Sequence, residues 1–384
     1  MNEHQRFRFY ISVFVASLGI SMYMYFIPVF AQSFGATFLD LGVIGTVWAL
    51  ATAITPVLVG HAADRMNRAW VYCLSLIINA VATIILVFSN SVFDIVLLRL
   101  FGGIGMGAFW PTAEVLVTDI TPPEKRVREM GRYSIALATG TLLGPFIGGV
   151  IIEAFGYFLL FVISTVVIGI SIVQALAWVV PSYRRKTSGP SSSSGSSGSL
   201  PIVRRLLPWY LMLLCYGVVW ALLGSIFPGY ANSTGISAAL IGLLLSAFGV
   251  SRIFSYATTH RYVKYGERRM ILFSSGLIFS GIFILGALPT FLVFLVGILL
   301  IGGGVGVVFP ITISLIARHF PNDRAGAAVA SFETSVNIGE TIGPYLAGFL
   351  ASLISIESSF LIMSVFGALM AIFALNGRTQ SSGN

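Results

Sequence analysis

The stretch Gly103-Ile-Gly105-Met-Gly107-Ala-Phe-Trp-Pro111 returns later in the chain as Gly302-Gly-Gly304-Val-Gly306-Val-Val-Phe-Pro310. A second stretch, Gly140-Thr-Leu-Leu-Gly144-Pro145-Phe-Ile-Gly148-Gly149, returns as Gly339-Glu-Thr-Ile-Gly343-Pro344-Tyr-Leu-Ala-Gly348. Both pairs share the offset of 199 that takes Gly103 to Gly302, with no gap between them. Nearer the start of each half, Pro28, Ala31, Ser33, Gly35 and Gly42 recur as Pro228, Ala231, Ser233, Gly235 and Gly242. The chain is therefore two copies of one unit. Residues present in both copies serve the fold, and polar residues that break the symmetry are candidates for chemistry.

The unit belongs in a bilayer. Apolar residues make up 57% of the chain and charged ones 9%, against a soluble norm of roughly 45–50% and about 25%. Mean hydropathy is +0.93. The formal charge of +8 does not point to nucleic acid, because the basic residues sort by topology. Only Arg99 and Arg252 lie inside apolar segments. The rest cluster at both termini, in the centre, and after segments two, four, eight and ten. All these clusters fall on one side, which the positive-inside rule makes cytoplasmic. Both termini are then cytoplasmic, in a multi-pass protein of the cell membrane. Cys73 and Cys215 lie in apolar runs and imply no disulfide framework. The N-terminal apolar stretch shows no small-residue cleavage site and reads as a first span.

A spanning helix needs roughly 20 apolar residues. Such stretches cover 9–33, 41–62, 69–89, 92–119, 131–154 and 156–180, then 206–231, 238–260, 270–288, 290–317, 327–352 and 355–376. They are too long for barrel strands, and lipid admits only helices or closed barrels. The expectation is an all-α polytopic membrane protein with twelve transmembrane helices in two pseudo-symmetric six-helix bundles. The bundles are residues 1–180 and 206–384. Residues 181–205 form a cytoplasmic linker, whose run from Ser188 to Ser199 contains only Ser, Gly and one Pro. The other loops are short and leave no room for a soluble catalytic domain.

Three motifs resemble those of the major facilitator superfamily. The loop Gly60-His-Ala-Ala-Asp64-Arg65-Met-Asn67-Arg68 resembles the superfamily's G-x-x-x-D-R/K-x-G-R-R/K, with Asn67 in place of Gly. Asn tolerates left-handed backbone better than most residues. Asp64 can face a helix N-terminus, and Arg65 and Arg68 can bond helix carbonyls or a carboxylate such as Asp119. The second copy, around Lys264 and Gly266, lacks the Asp. Arg99-Leu-Phe-Gly102-Gly103-Ile-Gly105-Met-Gly107 resembles the fourth-helix motif R-x-x-Q-G-x-G, with Gly102 where Gln is usual. Its glycines fit close helix packing better than a dinucleotide loop, which needs a preceding strand. Gly140, Gly144, Pro145, Gly148 and Gly149 resemble the fifth-helix motif, commoner in exporters than importers. Gly343 and Pro344 repeat it in part, which also fits plain packing.

The symmetry breakers are ionisable. Glu333, Asn337 and Glu340 fall on one face of segment eleven, and their first-half counterparts are Ser134, Ala138 and Thr141. Carboxylates there are expensive unless protonated, paired or wet. A carboxyl in such a place can load and release a proton near neutrality. Arg252, opposite Thr52 or Ala53, and Glu114, opposite Ile313, are further candidates; each also fits a structural ion pair or an interfacial side chain. Arg99 either faces a cavity or partner, or snorkels to the outer surface. His61, His260 and His319 sit at cytoplasmic helix ends without metal-ligand spacing. Tyr23, Tyr25, Phe26, Phe109, Trp110, Tyr216 and Trp220 either receive an apolar or cationic solute or pack against lipid.

The resemblance covers nearly the whole chain. It implies two helical halves, a central site and rocking access to each side in turn. Together the features lead to a secondary transporter, a proton-coupled exporter of small amphiphilic or cationic compounds like the drug:proton antiporters. Its partners are a small-molecule substrate, protons and the bilayer, and it acts as a monomer without cofactor, metal or enzyme activity. Glu333, Glu340 and Asn337 serve coupling or substrate, with Arg99, Arg252 and Glu114 beside them. Gly60, Asp64, Arg65, Arg68 and Asp119 form a cytoplasmic gate. Two alternatives stay open: uptake of an anionic metabolite clamped by Arg99 and Arg252, and a non-transporting receptor.

Overall fold

The computed structural model of the chain describes residues 3–63, 67–181, 183, 200–262, 266–317 and 325–376. Its regular structure is helical throughout those residues. Among the described residues, ten stretches are long and apolar enough to cross a membrane. One of them, Pro123–Val179, has 57 residues, far more than the roughly 20 that cross the hydrocarbon core once. It breaks at Gly156, where φ is 80°, and so crosses twice. With α12 (Ala325–Leu353), whose length also suits a span, the count reaches the twelve expected.

In chain order the elements are α1 (Glu3–Met24), α2 (Ile27–Gln32), α3 (Phe38–Ala63), α4 (Arg68–Ile85), α5 (Val92–Ile120) and α6 (Arg126–Gln174). The second half runs through α7 (Leu200–Ser225), α8 (Phe227–Ser233), α9 (Ala238–Tyr262), α10 (Glu267–Ala287), α11 (Phe291–Ala317), α12, α13 (Ile356–Met363) and α14 (Val365–Asn376). The recurring residues explain matching details. Pro28 and Pro228 each stand at the start of a short helix after a break, α2 and α8, because proline suits a first helical turn and not an interior. Gly35 and Gly235 follow at φ 80° and 83°, a left-handed turn that favours glycine.

The chain divides into two compact units. Unit 1 comprises residues 1–190 together with 235–246, and unit 2 comprises 191–234 and 247–384. The first part of α9 thus groups with unit 1. There Glu153 Oε2 accepts hydrogen bonds from the Ser237 hydroxyl (2.8 Å) and the Ala239 amide (3.2 Å). The Ser246 hydroxyl donates to the Leu142 carbonyl at 2.6 Å. A carboxylate on the first turn of α9 complements the helix dipole.

Within each unit the same glycines bring the same helices together. A Cβ at Gly140 would lie 2.7 Å from the Phe14 carbonyl oxygen, so α1 packs directly on α6. Its repeat Gly339 abuts the Leu214 carbonyl, so α7 packs directly on α12. Gly107 meets Thr52 on α3 as Gly306 meets Arg252 on α9. Lipid tails are as apolar as leucine, so van der Waals contact at close range drives these pairings.

Unit 1 adds an ionic tie at the start of its first helix. Glu129 is 1% exposed. It accepts from the Tyr10 hydroxyl (2.8 Å) and Arg132 Nη1 (2.9 Å), and lies 3.4 Å from Arg6 Nε. Arg132 also donates to Glu3 at 3.2 Å. The start of α1 is thereby fastened to the start of α6.

Three stability outcomes follow, all read by thermal unfolding of purified protein. Gly144→Ala places a methyl against Ser21 and the Met22 amide and costs about 1–3 kcal/mol. Gly131→Ala meets open space and stabilises its helix by up to about 1 kcal/mol. Glu129→Ala strands the buried Arg6 and costs about 3–5 kcal/mol; an unchanged melting temperature would refute the tie.

Candidate functional site

Glu333, Asn337 and Glu340 project from one face of α12, about 10 Å from end to end at ~1.5 Å per residue. Glu333 is exposed, and Asn337 and Glu340 are half-buried. None of the three makes an ion pair or side-chain hydrogen bond with a described residue. The adjacent face of α12 carries Gly339 and Gly343, which set the helix on α7. Gly217 of α7 completes that approach: a Cβ there would lie 3.0 Å from the Glu340 amide and against the Val336 carbonyl. Glu340 is therefore held where α7 and α12 come closest.

Aromatic rings stand beside this stripe in unit 2. Tyr216, buried on α7, is within electrostatic reach of both Glu340 and Arg252. Its ring continues through Phe309 (6.3 Å) to Phe332 (5.1 Å further). One turn along α7, Trp220 packs on Phe248 at 5.6 Å. Arg252 places its guanidinium 4.8 Å from the Trp220 ring centroid, a cation–π contact. Unit 2 thus brings together two unpaired carboxylates, one half-buried cation and a row of aromatic faces. Such a surface can hold an amphiphilic solute with a positive charge and exchange protons with it.

The remaining predicted residues lie elsewhere. Arg99 belongs to unit 1 and is 6% exposed, with its guanidinium 4.9 Å from the Trp48 centroid. It does not snorkel. Glu114, half-buried on α5, accepts from Trp110 Nε1 at 3.2 Å. Tyr23, Phe26 and Phe109 are buried inside unit 1, whereas Trp110 is exposed. Gly140, Gly144 and Gly148 face α1, and Gly149 faces Ala238.

Of the residues expected to form a gate, Asp64 and Arg65 lie outside the described residues, and Gly60 is described only as helical backbone. Arg68 Nη1 donates to Asp119 Oδ2 at 2.6 Å, and the Tyr183 hydroxyl donates to the same oxygen at 2.6 Å. Burial, together with that bond, pushes the Tyr183 hydroxyl up to about 12, so it remains a donor at physiological pH. Asn67 differs from expectation. Its backbone is extended, at φ −71° and ψ 119°, and its side chain caps α4 by accepting from Ala69 N. The replacement of Gly is accommodated by capping, not by left-handed backbone.

Sequence reading missed Glu129, Glu153, Trp48 and the pairing of Arg6. Both glutamates break the repeat, opposite Ala328 and Ser352, so the same filter points to them. Trp48 carries no such signal, because its counterpart Phe248 is also aromatic.

Known proteins resemble the chain along nearly its whole length. An uncharacterised MFS-type transporter of Methanocaldococcus jannaschii is 25% identical over 378 residues, 97% of each chain. The quinolone resistance protein NorA of Staphylococcus aureus is 26% identical, over 91% of this chain and 90% of its own. A multidrug resistance efflux pump PmrA homolog of Lactococcus lactis is 24% identical, over 93% and 90%. Among solved structures, the nucleoside transporter NupG superposes with a TM-score of 0.79 at 12% identity, covering 98% of this chain and 99% of its own. A bacterial homolog of the human lysosomal transporter Spinster scores 0.76 at 15% identity, covering 98% of each. At such identities these two structures establish the fold alone. The family model described as Major Facilitator Superfamily matches residues 9–213 and again 209–382, one match for each copy of the repeat, and the chain therefore belongs to that superfamily of multi-pass membrane transporters.

Proposed function

We propose that this transporter is a proton-coupled exporter of small amphiphilic or cationic compounds, working by alternating access in the cell membrane with both termini cytoplasmic. The observation that carries this reading is the unpaired Glu333–Glu340 stripe on α12, set beside Tyr216 and Trp220. Carboxylates without fixed counter-ions in a membrane helix serve a cation or a proton. The aromatic row supplies faces for a flat or cationic solute. NorA and the PmrA homolog, whose names record quinolone resistance and multidrug efflux, support the same direction.

Glu333 and Glu340 exchange protons for substrate in this scheme, with Asn337 between them as a polar contact. Arg252, held on Trp220, limits how much positive charge the site accepts. Arg68 and Asp119 hold the cytoplasmic gate. Uptake of an anion has less support: of its two proposed clamps, Arg99 is buried on Trp48 and Arg252 is engaged by Trp220.

In proteoliposomes, an imposed pH gradient drives flux of a fluorescent lipophilic cation. Glu340→Gln reduces that flux to the level of protein-free vesicles, and Glu333→Gln reduces it about tenfold or more, as expected for loss of a charge that carries the coupling. Full response to the gradient in both variants would remove these residues from the mechanism. Flux of an anionic metabolite in place of the cation would favour uptake instead. Asp119→Asn weakens the gate by about 1 kcal/mol, the scale of a partly exposed ion pair, and Arg68→Gln in the same background adds little. Additive losses in this double-mutant cycle, measured on gradient-driven flux, would show that the two side chains act separately.

A further inference from the structure

Arg99 lines a small cavity of about 10 Å³ together with Tyr23, Ile27, Leu86, Leu98 and Gly102. That volume is the space open to the centre of a water-sized body, so the void admits one water molecule or one monatomic ion and no organic substrate. Arg99 is 6% exposed, and its Nε has no hydrogen-bond partner among the described residues. The Trp48 ring covers one side of it. Tyr23 is its one electrostatic neighbour among the described residues, with no carboxylate in reach. A buried cation without a counter-ion is costly, and a cation–π contact offsets only part of that cost.

The repeat shows how this volume is filled when no charge is present. In unit 2 the counterpart of Arg99 is Ile298, that of Gly102 is Ile301, and that of Ala82 is Gly281. Ile298 and Ile301 are fully buried. A Cβ at Gly281 would lie 2.6 Å from Ile301 Cγ1, so the Ile301 side chain presses against the glycine. Unit 1 exchanges the bulk: Ala82 adds one methyl where Gly281 has none, while Gly102 removes the whole isoleucine side chain. A Cβ at Gly102 would meet nothing within 4 Å. The space left by that missing side chain opens beside the unpartnered Nε.

We propose that the cavity between Arg99 and Gly102 binds a small monatomic anion, a halide, as the counter-ion of Arg99. The Arg99 guanidinium supplies the charge and the orphaned Nε–H donor. Tyr23 lines the cavity from α1, and the absent Gly102 side chain supplies the room. A bound halide neutralises the outer part of unit 1 and lets α1, α4 and α5 pack around an arginine without a carboxylate. The site is independent of which compound the transporter carries.

The experiment compares thermal unfolding of the purified full chain in sodium bromide, sodium chloride and sodium gluconate at equal ionic strength. The wild type melts about 2 °C higher in bromide or chloride than in gluconate, as expected for a ligand that binds only the folded state. Gly102→Gln fills the cavity with an amide whose oxygen faces Arg99 Nε, and it removes the difference between halide and gluconate without loss of the folded protein. Crystals soaked in bromide show an anomalous peak between Arg99 and Gly102 in the wild type only. The proposal is overturned if the three salts give the same melting temperature in the wild type, which would leave the cavity to water. It is overturned equally if Gly102→Gln retains the halide effect.

Discussion

Close contact between helix backbones is the constraint on which the rest of this protein depends. In lipid, apolar side chains gain nothing by leaving their solvent, so helices associate by van der Waals contact and by hydrogen bonds across the interface. Gly140 and Gly144 let α6 meet α1, and Gly339 and Gly343 let α12 meet α7. Ser21 adds a hydrogen bond from its hydroxyl to the Gly140 carbonyl at 3.0 Å. Those contacts fix which face of α12 meets α7, and hence where the adjacent face that carries Glu333, Asn337 and Glu340 projects.

The two units share this scaffold and differ in what fills it. Unit 1 places polar groups at helix contacts: Asn79 against Gly105, Arg99 on Trp48, and Glu129 among Arg6, Tyr10 and Arg132. The counterparts of Asn79, Arg99 and Glu129 are Ile278, Ile298 and Ala328. Unit 2 instead carries its charge on the face of α12 and on Arg252. One backbone plan thus supports a half in which Glu129 is enclosed by its partners and a half in which Glu333 and Glu340 make no ion pair with a described residue. The second arrangement is the one that suits exchange with a solute.

Much of this was legible in the chain. Pro28 and Gly35, repeated as Pro228 and Gly235, mark the same break and the same left-handed turn in both halves, because each requires a particular residue type. The Glu333–Asn337–Glu340 stripe followed from helical spacing and from its absence in the other copy. The partners of these groups were less legible. Trp220 reads as one of many aromatics and Trp48 is not singled out at all, until the structure sets Arg252 and Arg99 on their faces. Asn67 read as a substitute for glycine's backbone freedom and serves as a helix cap.

The sequence by itself determined the number of spans, the duplication, the family motifs and the residues that break the symmetry. Each of these is set by local chemistry: the length of an apolar run, the period of a helix, and the need of a turn for Gly or Pro. Only the tertiary structure decided which charges are paired. Glu129 is enclosed by α1, Arg99 is capped by a ring from α3, and Asp119 is held by Arg68 and Tyr183, while Glu333 and Glu340 are left without a partner among the described residues. The reason is that pairing depends on which faces of distant helices meet. That is decided by side-chain volumes summed over many contacts, and no single stretch of the chain records it.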